Sequence, residues 1–371
     1  MQLRFTSNIQ ALGEGTNTGL PLKRFMMPVA VVITLSAVFL LNVGWMGGGP
    51  RRVSDVEFLM STMVEVIVYY DDEDDAHDII RMAFDEAKRI EHIMEARKGD
   101  GEMERINSAT GKTRWTISPE LSAVLERTGH FYRLTDGLFD PTIAPVKWLW
   151  DFEGEGRLPP AQEIREQLTH VGYDRVNLQG SQLVFSDDGI KLDLGGVAKG
   201  YAVDRMIDVL KEHGIKEGLV NAGGDIVTFG KKPGKAKLPF ERAEPEDWKI
   251  AVRHPRLNRQ IEIKPAGLPA VATSGDYERY FIKDGVRYHH ILDPRTGYPA
   301  NLSISVTVWT TTAMDADILA TAIFALGPEK GIKLAERLDN VETLVFYEKN
   351  DKVHAVATRG IEPKLPRSLF E

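Results

Sequence analysis

The sequence predicts an α+β fold preceded by one membrane-spanning helix, and three stretches carry that expectation. Residues 25–46, FMMPVAVVITLSAVFLLNVGWM, hold no charged side chain and are long enough to cross a bilayer as a helix. Ile79, Ile80, Ala83, Phe84, Ala87, Ile90 and Ile93 recur at helical spacing, the stripe of an amphipathic helix. ERYFIKDGVRYHHIL, from Glu278 to Leu292, sets Asp284-Gly285 between two aromatic-rich runs, a favoured turn for an antiparallel hairpin.

From the N-terminus, Lys23 and Arg24 flank the uncharged run, and Trp45 lies near its far end. Arg51 and Arg52 follow GGGP, so basic residues stand on both sides and the charge bias sets orientation only weakly. The run exceeds a signal-peptide core and no A-x-A pattern follows it, which favours an uncleaved signal anchor over a cleaved signal. The expected organisation is a cytoplasmic tail over 1–24, the anchor over 25–46, a flexible linker over 47–57 and a globular domain over 58–371 outside the cytoplasm.

MVEVIVYY, from Met63 to Tyr70, has strand composition. The acidic run Asp71 to Asp75 suits the N-terminal end of the amphipathic helix, as a solvated cap rather than a metal site. A second helix is expected over Pro119–Thr135 and a third over about Pro160–Val171, with DGLFDPTIAPVKWLWDFE between them as a structured loop. Ile190 to Leu194 alternate like a half-buried strand, Gly195-Gly196 turn the chain, and Ala202, Met206, Ile207 and Leu210 place a helix start near Val197 or Ala198. GLVNAGGDIVTFG is a strand broken by paired glycines, Lys231–Asp247 a surface insertion, and Trp248–Pro255 and Gln260–Lys264 further strands. After the hairpin come a DPRTG turn, the strand SISVTVWT and a helix, TTAMDADILATAIFALGP, stopped by Gly327 and Pro328.

The chain has 371 residues and a formal charge of −8, so no basic face for nucleic acid is implied. It contains no cysteine, which excludes disulfides, thiolate catalysis and iron–sulfur clusters. No repeat of about 20 to 50 residues is visible, so a solenoid or propeller is not supported.

Strand, glycine turn and helix start around KLDLGGVAKGYAVD can form a phosphate site, with backbone N–H groups and Lys199 facing the anion. The same glycines can equally serve packing at a strand–helix corner. Asp317 and Thr321 are four apart, so they share one helix face and offer hard oxygen donors suited to Mg²⁺. The other reading is an acidic first turn with Asp315 as its cap. Only one of His289 and His290 can face a given site, because side chains alternate along a strand. Such a histidine beside a phosphate can act as a general base, or be simply packed. ATSGDY, from Ala272 to Tyr277, suits a loop over a ligand, and no G-x-S-x-G marks a serine nucleophile.

DLGGVAKGYAVD, NAGGD, ATSGDYERYF, HHILDPRTGYP and DADILATA, with FDPTIAP before them, together resemble the ApbE family of FAD:protein FMN transferases over about Met60 to Gly327. The resemblance implies a T-fold-related domain of helices packed around antiparallel sheets, using Mg²⁺ and FAD to attach FMN to a threonine of an acceptor protein and releasing AMP. It implies that Asp193 and Lys199 contact FAD, and that the Gly196 carbonyl, Asp317 and Thr321 bind the metal. His290 is implied to assist phosphoryl transfer, while Met60, Leu138, Phe139, Asp140 and Ile291 are implied to contact the flavin. Combined with the anchor read at 25–46, it implies a single-pass protein of a bacterial inner membrane, its catalytic domain in the periplasm, serving an extracytoplasmic domain of a membrane redox complex. One stretch departs from the family pattern. IMEARKGDGEMERIN has Glu95 and Arg97 where relatives often carry a serine and an aromatic, though Arg105 and Asn107 keep the end of that motif. An FAD-binding protein or an FAD pyrophosphatase of the same fold are the rival functions, and a membrane-tethered scaffold is a third.

Overall fold

Strand β1 (Arg51–Leu59) pairs along its whole length with β2 (Thr62–Tyr70), and this hairpin opens one edge of an eight-stranded antiparallel sheet. The computed structural model describes residues 50–97, 99–109, 114–234, 244–257, 259–263, 267–366 and 369. The uncharged run 25–46 lies outside them, and among the described residues no helix is long and apolar enough to cross a membrane. The expected linker over 47–57 is corrected from Arg51 onward. Val53 and Leu59 bury their side chains, and the backbone finds its hydrogen bonds on β2, so the segment is strand rather than tether.

Helix α1 (Glu73–Met94) follows, capped by Asp72, whose carboxylate accepts from the Asp75 N–H at 3.0 Å. The acidic run is therefore a cap, and Ile79, Ile80, Ala83, Phe84, Ala87 and Ile90 form the buried stripe. Next come α2 (Glu102–Ser108), β3 (Arg114–Thr116) and α3 (Pro119–Leu134), the last capped by Ser118. The expected loop at FDPTIAPVKWLW is instead a 3₁₀ turn (Pro141–Ile143) running into α4 (Ala144–Trp150). Its prolines sit in first helical turns, where no N–H is needed. Helix α5 (Ala161–Leu168) and strands β4 (Val176–Gln179) and β5 (Gln182–Phe185) complete this half, β5 pairing with β3 and β4 in a small sheet.

Ile190–Leu194 belongs to no sheet, another correction. The Leu192 N–H donates to the Asn107 side chain at 2.8 Å and the Asp193 N–H to the Pro141 carbonyl at 2.8 Å, so loop partners replace a strand. Helix α6 (Ala198–Glu212) starts where expected, and β6 (Gly218–Ala222) and β7 (Asp225–Phe229) are two strands joined by Gly223-Gly224. Both glycines have positive φ, 62° and 106°, which the tight turn requires. A ribbon of β8 (Ile250–Arg253) and β9 (Gln260–Ile263) precedes β10 (Ala270–Gly275), so ATSGDY is largely strand rather than loop. The Asp-Gly hairpin is β11 (Tyr280–Lys283) with β12 (Val286–His289). Then come β13 (Ser305–Thr310), α7 (Ala313–Ala335), β14 (Glu342–Lys349) and β15 (Lys352–Ala357). Gly327 interrupts α7 with φ 78° and ψ 176°, and a second helical piece resumes at Pro328. Helix α7 is capped by Thr312, not Asp315.

Sheet order is β1-β2-β6-β7-β10-β13-β14-β15. Helix α6 packs on both α1 and α7, and all three lie against the sheet in the main core, while Trp309, Leu344 and Phe346 form a separate core with the β8–β9 ribbon. Where α6 crosses the start of α7, Gly200 leaves no room: a side-chain carbon there would lie 2.3 Å from the Ala313 carbonyl oxygen. Asp204, one turn later, accepts from the N–H groups of Ala313 at 2.8 Å and Met314 at 2.9 Å. This crossing fixes the two helix starts against each other. Gly200→Ala is expected to cost about 3 kcal/mol by overpacking against backbone, read as a lower midpoint in thermal unfolding; an unchanged midpoint would contradict the tight crossing.

Candidate active site

The two helix starts meet at one carboxylate. The Gly200 N–H of α6 donates to Asp317 Oδ2 of α7 at 3.2 Å. One turn along α7, Thr321 faces the glycine corner, where a side-chain carbon on Gly196 would lie 3.3 Å from Thr321 Oγ1 and 3.2 Å from the Phe139 ring. Ser274 of β10 completes the group, its hydroxyl 3.3 Å from that of Thr321. Asp315 points elsewhere and takes both arms of Arg127, at 2.6 and 2.5 Å. The helical period separates the two acids, as 3.6 residues per turn demands.

These groups line a cavity of about 440 Å³, within the ~300–1,000 Å³ range of small-molecule sites. Every residue singled out for the site lines it: Met60, Leu138, Phe139, Asp140, Asp193, Gly196, Lys199, His290, Ile291, Asp317 and Thr321. Met60 sits in the β1–β2 turn at φ 50°, its N–H donating to Glu91 Oε1 at 2.9 Å. Leu138, Phe139 and Ile291 are buried apolar wall. Asp140 plays a local part as well: it accepts from the Thr142 N–H and hydroxyl at 2.8 and 2.5 Å, capping the 3₁₀ turn, and burial pushes its carboxyl up despite those bonds.

His290 and not His289 faces the cavity. The His290 Nδ1 lies 3.3 Å from the Arg279 carbonyl, which can only accept, so Nδ1 carries the proton and Nε2 is the free acceptor. Burial, then the charges of Lys147 and Arg279, push its pKa down to about 3, so the ring is neutral at neutral pH. His289 packs inward, its ring 5.4 Å from that of Phe324 and nearly perpendicular to it. Burial lowers its pKa to about 4. The unfolded chain binds this proton near pH 6.5 and the folded chain does not, so stability is full above that value and falls as pH drops towards 4. Between pH 7 and 5 His289 alone is expected to cost about 2 kcal/mol. His289→Gln should shrink the drop in thermal midpoint over that interval, and an unaltered drop would refute the assignment.

Two charged residues behave differently from their sequence expectation. Lys199 does not reach out as a free cation: its ammonium makes a close ion pair with Asp225 and lies 3.5 Å from Asp317. Burial disfavours its charge, but the two carboxylates outweigh burial and hold its pKa above the ordinary lysine value. Asp193 binds Lys147 Nζ at 2.8 and 2.9 Å and the Gly195 N–H at 2.9 Å. Burial would raise its pKa, but the Lys147 charge, the Lys147 hydrogen bonds and the Gly195 N–H together outweigh burial and hold the carboxyl below the ordinary aspartate value. Lys147 is thus a cavity cation that the sequence reading missed, because α4 was read as loop; a helix-period reading of Ala144, Lys147 and Trp148 would have exposed it. In the departing stretch, Glu95 lines the cavity and the Arg97 guanidinium lies 5.2 Å from the Trp148 ring centre, a cation–π contact.

Among the described residues no three His, Cys, Asp or Glu side chains converge as a metal cluster. The Asp317 carboxylate and the Thr321 hydroxyl, with Gly196 packed against the latter, are nonetheless hard oxygen donors. Such a sparse set fits Mg²⁺, which commonly takes one or two carboxylates and completes its shell with water and substrate phosphates.

Comparison with known proteins identifies the family. The ApbE family profile matches residues 60–345. A Treponema pallidum protein named FAD:protein FMN transferase is 32% identical over 325 residues, covering 83% of this chain and 88% of that one. A Vibrio cholerae protein of the same name is 32% identical over 286 residues, covering 76% and 82%. Among solved structures, the ApbE protein of Thermotoga maritima superposes with a TM-score of 0.75 at 31% identity, covering 85% of this chain and 100% of that one. The Vibrio cholerae flavin transferase ApbE gives 0.74 at 29% identity, with the same coverage. On its sequence and its fold, this chain belongs to the ApbE family.

Proposed function

We propose that this chain is an FAD:protein FMN transferase, moving FMN from FAD to a threonine of an acceptor protein with release of AMP. The observation that carries the reading is the meeting of Gly196, Asp317 and Thr321 in one cavity with His290. Asp317, Thr321 and the Gly196 carbonyl would hold Mg²⁺, which supplies neutralisation of charge on the diphosphate. The chain's own groups do the rest. Leu138, Phe139 and Ile291 give a dry wall for an aromatic ring, and the ammonium groups of Lys147 and Lys199, each paired with a carboxylate, line the same cavity.

The threonine oxygen forms a bond to the phosphorus on the FMN side of the diphosphate. The bond from that phosphorus to the bridging oxygen breaks, and its electron pair leaves with AMP. The hydroxyl proton passes to His290 Nε2. A neutral imidazole is the required form, and the negative charge of bound FAD would raise its basicity from the low value of the empty cavity.

The uncharged run 25–46 supports a single-pass anchor in a bacterial inner membrane, with the catalytic domain in the periplasm. The acceptor would then be an extracytoplasmic domain of a membrane redox complex. Incubating the full chain with FAD, Mg²⁺ and such a domain tests the chemistry. A flavin-fluorescent acceptor band on a denaturing gel is expected. Free FMN and AMP without a band would make the chain a pyrophosphatase, and FAD retained intact would make it a binder.

A further inference from the structure

The Lys199 ammonium sits between two buried carboxylates of different standing. Asp225 opens β7 directly after the Gly223-Gly224 turn and is 2% exposed; its carboxylate makes the closer contact with Lys199. Asp317, 5% exposed, is also held by the Gly200 N–H and lies 3.5 Å from the same ammonium. Two buried carboxyl groups therefore share one ammonium. A divalent cation arriving at Asp317 meets that positive charge at close range, where like charges repel strongly in a partly dry site.

We propose that Lys199 stands in for the metal, resting against Asp317 while no cation is present and being drawn away wholly by Asp225 when one binds. Asp225 is on this account a positioning residue: it touches neither metal nor substrate, and it sets metal affinity by holding the competing ammonium aside. The inference rests on the metal site read at Asp317 and Thr321, and it assigns a role to the buried aspartate of NAGGD.

Three variants of the full chain, titrated with Mn²⁺ alone and followed by electron paramagnetic resonance, separate this from a structural role. Asp225→Asn, which keeps the shape, leaves Lys199 to Asp317 and should weaken Mn²⁺ binding by about tenfold, an ordinary coupling between contacting charges. Lys199→Gln removes the competitor and should tighten binding. The double variant should bind at least as tightly as wild type, because without the ammonium the loss of Asp225 no longer matters. A cooperative thermal transition above the titration temperature shows that each variant is folded, whatever its midpoint. Weaker binding in both single variants, or a double variant as weak as Asp225→Asn, would overturn the proposal alone. No Mn²⁺ binding by the wild type would overturn the metal site and the proposal together.

Discussion

Asp317→Ala is expected to reduce FMN transfer by on the order of a thousandfold or more, since a bound metal supplies several kcal/mol of charge stabilisation and each 1.36 kcal/mol is tenfold. The loss has two parts in this structure. The metal face keeps only the Thr321 hydroxyl and backbone oxygen, and the Gly200 N–H loses its 3.2 Å acceptor at the crossing of α6 and α7. Asp317→Asn separates them, because an amide oxygen still accepts from Gly200 while ligating a hard cation poorly. Both variants should be nearly inactive, and only the alanine should also lower the thermal midpoint. Transfer within a few-fold of wild type in Asp317→Asn would remove the carboxylate from the chemistry.

His290→Ala should slow transfer by about 10²–10⁴-fold, the usual weight of a positioned general base. Nδ1 is turned to the Arg279 carbonyl and Nε2 is left to accept, so the loss should fall on kcat. The Michaelis constant for FAD should change little, because the wall of Leu138, Phe139 and Ile291 and the rest of the cavity lining remain. His289→Ala makes the control: its ring packs on Phe324 and faces away, so a comparable loss of kcat there would exchange the two assignments.

Much of this was legible in the sequence where a single period governs a segment. The stripe of α1 is buried as its spacing demands, and the Asp284-Gly285 turn joins β11 to β12. The alternation of Ile190, Leu192 and Leu194 correctly marks the buried side, yet the segment pairs with no strand. Periodicity reports which side is dry and not where the backbone finds its partners. Helix α4 was hidden because Pro141 and Pro145 look like breakers until they are seen to sit in first turns. The cavity residues were found largely through motif resemblance, since Asp193 and Asp317 are far apart in the chain. What no local pattern contains is the pairing of charges. Lys199 meets Asp225 and Asp317, and Lys147 meets Asp193, only because the Gly200 crossing and the 3₁₀ turn bring those elements together.

The most direct test of the shared metal and dinucleotide site is anomalous diffraction from crystals of this protein soaked with Mn²⁺ and FAD. The account requires a manganese peak within bonding distance of the Asp317 carboxylate, the Thr321 hydroxyl and the Gly196 carbonyl, with the FAD diphosphate beside it and His290 within reach. A diphosphate bound elsewhere in the cavity, or manganese found away from Asp317, would contradict it.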